Sequence, residues 1–180
     1  MNTTFDANGK TTAPSSKLPE VVSASPRPAR LAEHPFLEGL SPHQLRLLSD
    51  CSMIVNFRPD EVIFREGDPA NRFYLINKGK VALESSVPDR SPACIQTIGP
   101  GEVLGWSWLF PPYYWHFDAR AVEPVEALFF YATPLRAECE ADHDLGYELL
   151  KRTSEVMLKR LQATRRQLLK VDLNQCPCKH

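Results

Sequence analysis

Between Ser52 and Tyr131 the chain is cut into short β-forming segments, each stopped by a turn. Ser52–Phe57, Glu61–Arg65, Arg72–Ile76, Val81–Glu84, Cys94–Ile98, Phe117–Val122 and Ala127–Tyr131 carry the β-branched and aromatic side chains that fit a pleated, half-buried surface. Arg58-Pro59-Asp60, Gly67-Asp68-Pro69, Lys78-Gly79-Lys80, Pro88-Asp89-Arg90 and Gly99-Pro100-Gly101 punctuate them. Many short strands at regular spacing pair antiparallel, in a roll, a sandwich or a barrel.

Helical signals flank this region. Ser41-Pro42 is a cap residue followed by proline at the first helical position, and Leu45, Leu47 and Leu48 then give a short amphipathic helix. Thr133-Pro134 repeats the pattern and opens a helix through Glu140. A longer helix is predicted from Asp144 to Lys170, where Leu150, Thr153, Met157, Leu161, Thr164 and Leu168 recur at steps of three and four. Such a stripe either lies along its own β domain or forms a seam with a second copy. A homodimer is expected, because the stripe continues past the point where a small β domain ends. The same helix carries Lys151, Arg152, Lys159, Arg160, Arg165, Arg166 and Lys170. These are read as a solvated face rather than a phosphate-binding one.

A chain of 180 residues accommodates one well-buried domain. Residues 1–30 are rich in Thr, Ser, Ala and Pro and poor in large apolar side chains, so they are expected to be a disordered tail. The folded domain is expected over 31–170, with the β region at 51–132, the C-terminal helices at 134–170 and a flexible cysteine-containing tail at 171–180. The net charge of −1 gives the whole molecule no attraction to nucleic acid or anionic membrane. No apolar run reaches membrane-spanning length, and residues 1–10 lack the apolar core of a secretory signal. The expected location is the cytoplasm, where Cys51, Cys94, Cys139, Cys176 and Cys178 stay reduced.

Three segments in order resemble cyclic-nucleotide-binding domains. Phe57 to Asp68 is similar to the opening strands and turn of that family. Phe73 to Val81 is similar to its aromatic strand and glycine turn. Gly99-Pro100-Gly101-Glu102-Val103-Leu104-Gly105 is similar to the entry to its phosphate-binding cassette. With the flanking helices, the resemblance covers residues 34–170 and points to the sensor halves of Crp–Fnr-type regulators. It implies a mainly β fold: an antiparallel, jelly-roll-like β-roll with short N-terminal helices and a long C-terminal helix. In that group a helix-turn-helix module follows. Only Val171–His180 remain here after the long helix, so no direct DNA binding is expected.

In family members that bind a cyclic nucleotide, the resemblance implies three roles: a glutamate for the ribose, and an arginine and a small hydroxyl residue for the phosphate. The glutamate position falls on Trp106, and the other two fall near Trp115 and His116. No arginine lies between Arg90 and Arg120. Strand alternation puts Arg120 on the side of His116 and Asp118, and the resemblance puts it past the cassette. A buried cyclic phosphate would lack a counter-charge, so cAMP and cGMP are not expected to bind in the family manner. The candidate pocket is Gly101, Glu102, Gly105, Trp106, Ser107, Trp108, Tyr113, Tyr114, Trp115 and His116, with all three tryptophans of the chain within ten residues. Three readings of these aromatics stand open: core that fills a vacated pocket, an altered pocket for a small apolar or planar effector, and a surface for a partner protein.

No catalytic set is apparent. His34, His43, His116, His143 and His180 stand apart in sequence, unlike the paired ligands of a catalytic metal. No nucleophile elbow and no Walker-type phosphate loop occurs. Cys176, Cys178 and His180 fall short of a structural zinc set, so no metal and no cofactor are expected. The expected function is regulatory and non-enzymatic, an effector-sensing or protein-docking module with Leu150, Met157, Leu161, Thr164 and Leu168 as its dimer seam. The alternatives are a true cyclic-nucleotide receptor acting on a partner protein and a regulator that recruits a separate DNA reader.

Overall fold

The computed structural model describes residues 20–23, 26, 28–85 and 92–175. Among these, β1 (Glu20–Ser23) leads to α1 (Pro28–Ala32), a 3-10 turn at Pro35–Leu37 and α2 (Pro42–Asp50). The strands β2 (Ser52–Phe57), β3 (Val62–Phe64), β4 (Arg72–Lys78), β5 (Val81–Ser85), β6 (Ala93–Ile98) and β7 (Val103–Leu104) follow. A second 3-10 turn, Trp106–Leu109, precedes β8 (Asp118–Ala121) and β9 (Val125–Tyr131), and α3 (Ala132–Ala141) and α4 (His143–Gln175) are the last described elements. One antiparallel sheet has the order β1-β2-β9-β4-β7, the other β3-β8-β5-β6. The protein is mainly β with flanking helices, as the sequence implies.

The first sheet is buried on both faces. Ile54, Phe73, Leu75, Leu128 and Phe130 point to one side, where they pack with Leu31, Leu37, Leu48, Leu135, Leu145 and Leu149 of the helical layer. Their neighbours Val55, Phe57, Tyr74, Ile76, Ala127 and Phe129 point to the other, into the roll, against Phe64, Val81, Leu83 and Ala119. Burial on both faces explains why β2, β4 and β9 read as continuous apolar runs. In the second sheet β8 alternates buried and half-buried residues, and β6 is mostly exposed.

Some boundaries differ from the expectation. The segment 1–30 contains β1, paired antiparallel with β2, and the start of α1, so a disordered tail does not extend to residue 30. A four-residue strand borrows its stability from its partner and leaves little local signal. Residues 1–19, 24, 25 and 27 lie outside the described residues. At the other end α4 continues through Val171–Gln175, whereas Cys176–His180 lie outside the described residues. So does the turn at Pro88-Asp89-Arg90.

Two caps illustrate local control. At α2, Ser41 Oγ accepts from the Gln44 N–H and Gln44 Oε1 accepts from the Ser41 N–H, a complete capping box. At α3 the cap position is Tyr131 rather than Thr133, and no side chain caps it. The Ala132 N–H is taken by the Asn71 carbonyl at 2.9 Å, which pulls the helix start two residues forward. Thr133 Oγ1 instead accepts from Arg136.

Candidate functional site

The cassette begins with the turn after β6. The Gly101 N–H donates to the Ile76 carbonyl at 2.8 Å, and Glu102 Oε2 accepts from the Gly99 N–H at 2.6 Å. Glu102 is therefore occupied in closing its own turn. Gly105 has φ +85°, in the left-handed region that glycine alone adopts without strain. It also faces the end of the Trp115 ring, and a Cβ would stand 2.5 Å from Trp115 Cζ3.

The second half of the cassette is stitched to the 67–70 turn. The Gly67 N–H donates to the Trp115 carbonyl, the Trp115 N–H to the Asp68 carbonyl, and the Ala70 N–H to the Tyr113 carbonyl at 2.6 Å. These bonds hold the Trp115 indole inside the roll, 3 % exposed and stacked on Phe64 with centroids 3.9 Å apart. The indole is packed as core.

The candidate pocket residues divide by location. Gly105, Trp106, Ser107, Trp115 and His116 surround one cavity with Phe64, Leu83, Phe117 and Arg160, although His116 itself is exposed. That cavity measures about 20 Å³, room for one water. Trp108 turns to the opposite side of the sheet and stacks on Phe73, within the core beneath the helices. Gly101 and Glu102 line a separate recess of about 210 Å³ against α4. Tyr113 and Tyr114 lie at the surface, Tyr113 under the Arg136 guanidinium. Arg120 is paired with Glu84 at 3.1 Å and also donates to the Asp60 carbonyl, so it does not enter the cassette.

One residue of the site was assigned elsewhere by sequence. Arg160 belongs to the basic positions of the long helix that read as solvated, yet its side chain is 8 % exposed. It donates to the Val103 carbonyl, and its guanidinium lies 4.4 Å from the centre of the Trp106 ring. Burial lowers its pKa to about 10, with the field of Glu102 acting in the opposite direction, so it is charged at neutral pH. Arg152 also turns inward and donates to the Phe36 carbonyl. The available signal was spacing: Leu149, Thr153, Val156 and Arg160 recur at steps of three and four and share one helix face. Leu150, Met157, Leu161, Thr164 and Leu168 lie on the adjacent face and are exposed, whereas Thr153, part of the same predicted stripe, is buried in its own domain.

Among the described residues, no three His, Cys, Asp or Glu side chains are grouped to hold a metal ion, and no helix is long and apolar enough to cross a membrane. The tail Cys176–His180 lies outside the described residues.

The comparisons with known proteins agree with this geometry. The profile of the cyclic nucleotide-binding domain matches residues 54–142. The crystal structure of a protein from Geobacter metallireducens GS-15, named for cyclic nucleotide binding, is 31% identical with a TM-score of 0.68, over 76% of this chain and 98% of that one. The CRP-like cAMP-activated global transcriptional regulator of Mycobacterium tuberculosis H37Rv is 26% identical over 138 residues, which are 77% of this chain and 60% of the regulator. The acetyltransferase Pat of Mycolicibacterium smegmatis is 35% identical over 79 residues, 44% of this chain and 23% of the enzyme. The chain thus spans about 60% of the length of the Crp-like regulators it matches. With a roll, a cassette and a covering helix in the matching order, this chain belongs to the cyclic nucleotide-binding domain family, with Crp-like regulators among its relatives.

Proposed function

We propose that this chain is a regulatory module, not itself an enzyme, whose cassette does not take cAMP or cGMP in the family manner. The observation that carries this reading is the filled cassette. Trp115 stacks on Phe64 beneath Gly105, and the cavity that Gly105, Trp106 and Trp115 share with Arg160 of α4 is about 20 Å³. A ribose phosphate does not fit a space the size of a water, and the positions for its glutamate and arginine partners hold indoles. Relatives support the regulatory class: a transcriptional regulator, and an enzyme of which only 23% is shared, as when a sensing domain is joined to a separate catalytic one. The exposed apolar face of α4 supports a homodimer as the working form.

Arg160 favours a second reading, a true cyclic-nucleotide receptor. It brings to the cassette, from α4, a buried positive charge that the cassette itself does not supply. For a nucleotide to use it, Trp106 and Trp115 must both leave their packing.

Calorimetric titration with cAMP and with cGMP decides between them. Each lost charge-assisted hydrogen bond weakens binding by about 1.5–3 kcal/mol, so loss of both partners costs at least about two orders of magnitude in affinity. No saturable heat is expected at micromolar nucleotide. Saturable micromolar binding with quenching of tryptophan fluorescence would put the receptor reading first.

A further inference from the structure

Two residues that line the cavity between the cassette and α4 carry buried hydrogen-bond donors that no described residue satisfies. Arg160 Nε and Trp115 Nε1 are both buried and have no partner among the described residues, and both residues line the same space. The Arg160 guanidinium donates to the Val103 carbonyl and covers Trp106; among the described residues no carboxylate pairs with it directly, although the field of Glu102 reaches it. A buried donor left without an acceptor is destabilising, and more so when it is charged. Two such donors meeting in one space define a site for an acceptor of negative charge.

An apolar groove of about 380 Å³ adjoins this space. Leu83, Trp106, Phe117 and Arg160 line both, and Ile95 and Leu158 continue the groove between β6 and α4, with Met157, Leu161 and Thr164 of the predicted seam at its rim. The inner end thus carries charge and donors, and the outer walls are hydrocarbon and aromatic. We infer that this junction binds an organic monocarboxylate with a flat or branched apolar body. One carboxylate oxygen enters the small cavity to meet Arg160 and Trp115, and the body lies in the groove. The assignment rests on the reading that the cassette is closed to cyclic nucleotides, since Trp106 and Trp115 form its walls.

The test is titration of the full-length protein with acetate, phenylacetate and 1-naphthylacetate, followed by tryptophan fluorescence and calorimetry. The matching amides serve as neutral controls, and cAMP and cGMP are run in parallel. Affinity is expected to rise with the apolar body from acetate to naphthylacetate. The amides should bind at least about tenfold more weakly, because the charge-assisted bond is lost. Arg160→Met keeps the length of the stem and should weaken naphthylacetate at least about tenfold. Trp115→Phe removes the second donor and should weaken it by a smaller factor. Circular dichroism and a thermal scan confirm that both variants fold.

Equal binding of acid and amide overturns the proposal, as does undiminished binding by folded Arg160→Met or no binding of any acid at millimolar concentration. Binding restricted to a monomeric Leu150→Glu/Leu168→Glu variant, whose substitutions lie outside the groove lining, also overturns it, because the occupant of the groove is then a second copy of α4. Saturable cyclic nucleotide binding would sink the underlying reading instead, and the nucleotide arm reports that separately.

Discussion

Gly105 and Trp115 constrain each other. Placing a methyl group on Gly105 costs twice: once for the left-handed backbone at φ +85°, and once for the contact with Trp115 at 2.5 Å. The indole cannot retreat, since it is buried and stacked on Phe64. Gly105→Ala is therefore expected to destabilise the fold by about 2–4 kcal/mol in urea unfolding, combining backbone strain and overpacking. Trp115→Phe shortens the ring that blocks the new methyl. The double variant should be more stable than the sum of the singles by about 1 kcal/mol or more, whereas strict additivity would mean that the two sites do not meet. The sequence marked this site because three tryptophans crowd ten residues next to a glycine turn. It left three fates open for the aromatics, and the structure assigns each ring separately: Trp115 inside the roll, Trp108 under the helices, Trp106 beneath Arg160. Trp106 and Trp108 sit on a 3-10 turn and Trp115 in the loop before β8, segments that follow neither the period of two nor that of 3.6, so pattern alone could not separate them.

At the scale of elements, the strands were the most legible part. β2 was read with its final boundaries, and β4 and β9 extend by two residues at one end. β7 was missed because two residues make too short a pattern, although they pair with Tyr74 and Leu75. α4 was read as one helix with one stripe, but it has two adjacent apolar faces. Leu145 and Leu149 are fully buried against the domain, while Leu150, Met157, Leu161 and Leu168 are 43 %, 38 %, 68 % and 62 % exposed. Spacing finds apolar positions without telling which ones the roll covers. The two faces should separate experimentally. Leu149→Ala opens a cavity in the core and is expected to cost about 2–5 kcal/mol of stability. Met157→Glu/Leu161→Glu should leave the protomer's unfolding within about 0.5 kcal/mol per site, as for exposed positions, yet convert a sedimenting dimer into monomer. A wild type that already sediments as a monomer at micromolar concentration would rule out the seam.

For the molecule as a whole, the first sheet is the shared wall of two cores, so loss of the helical layer on one side weakens the roll on the other. His34 sits at that junction. It is buried between the 3-10 turn and β4, with Nε2 donating to the Ile76 carbonyl at 3.3 Å and Nδ1 accepting from the Phe36 N–H at 3.2 Å. Because the Phe36 N–H needs a lone pair on Nδ1, the proton of the neutral ring belongs on Nε2. Burial pushes the His34 pKa below its ordinary 6.5, and the bond to Ile76 opposes this only in part. A second proton on Nδ1 would also face the Phe36 donor directly. Between the lowered folded value and 6.5, the unfolded chain binds more protons than the folded one, so stability falls as pH falls through that window. Arg30, Glu33, Lys78 and Glu126 line the same recess and add their own charges to the background. The difference between wild type and His34→Gln isolates the imidazole. Urea midpoints taken from about pH 7 to about pH 5 should fall more steeply for the wild type, by at most about 1.4 kcal/mol per pH unit for one proton. His34→Gln should be less stable near neutrality, having lost the acceptor for Phe36, and the two proteins should converge on acidification. Parallel pH profiles would mean that His34 titrates alike in the folded and unfolded chains, and the link between the helical layer and β4 would then have to be independent of the ring's charge.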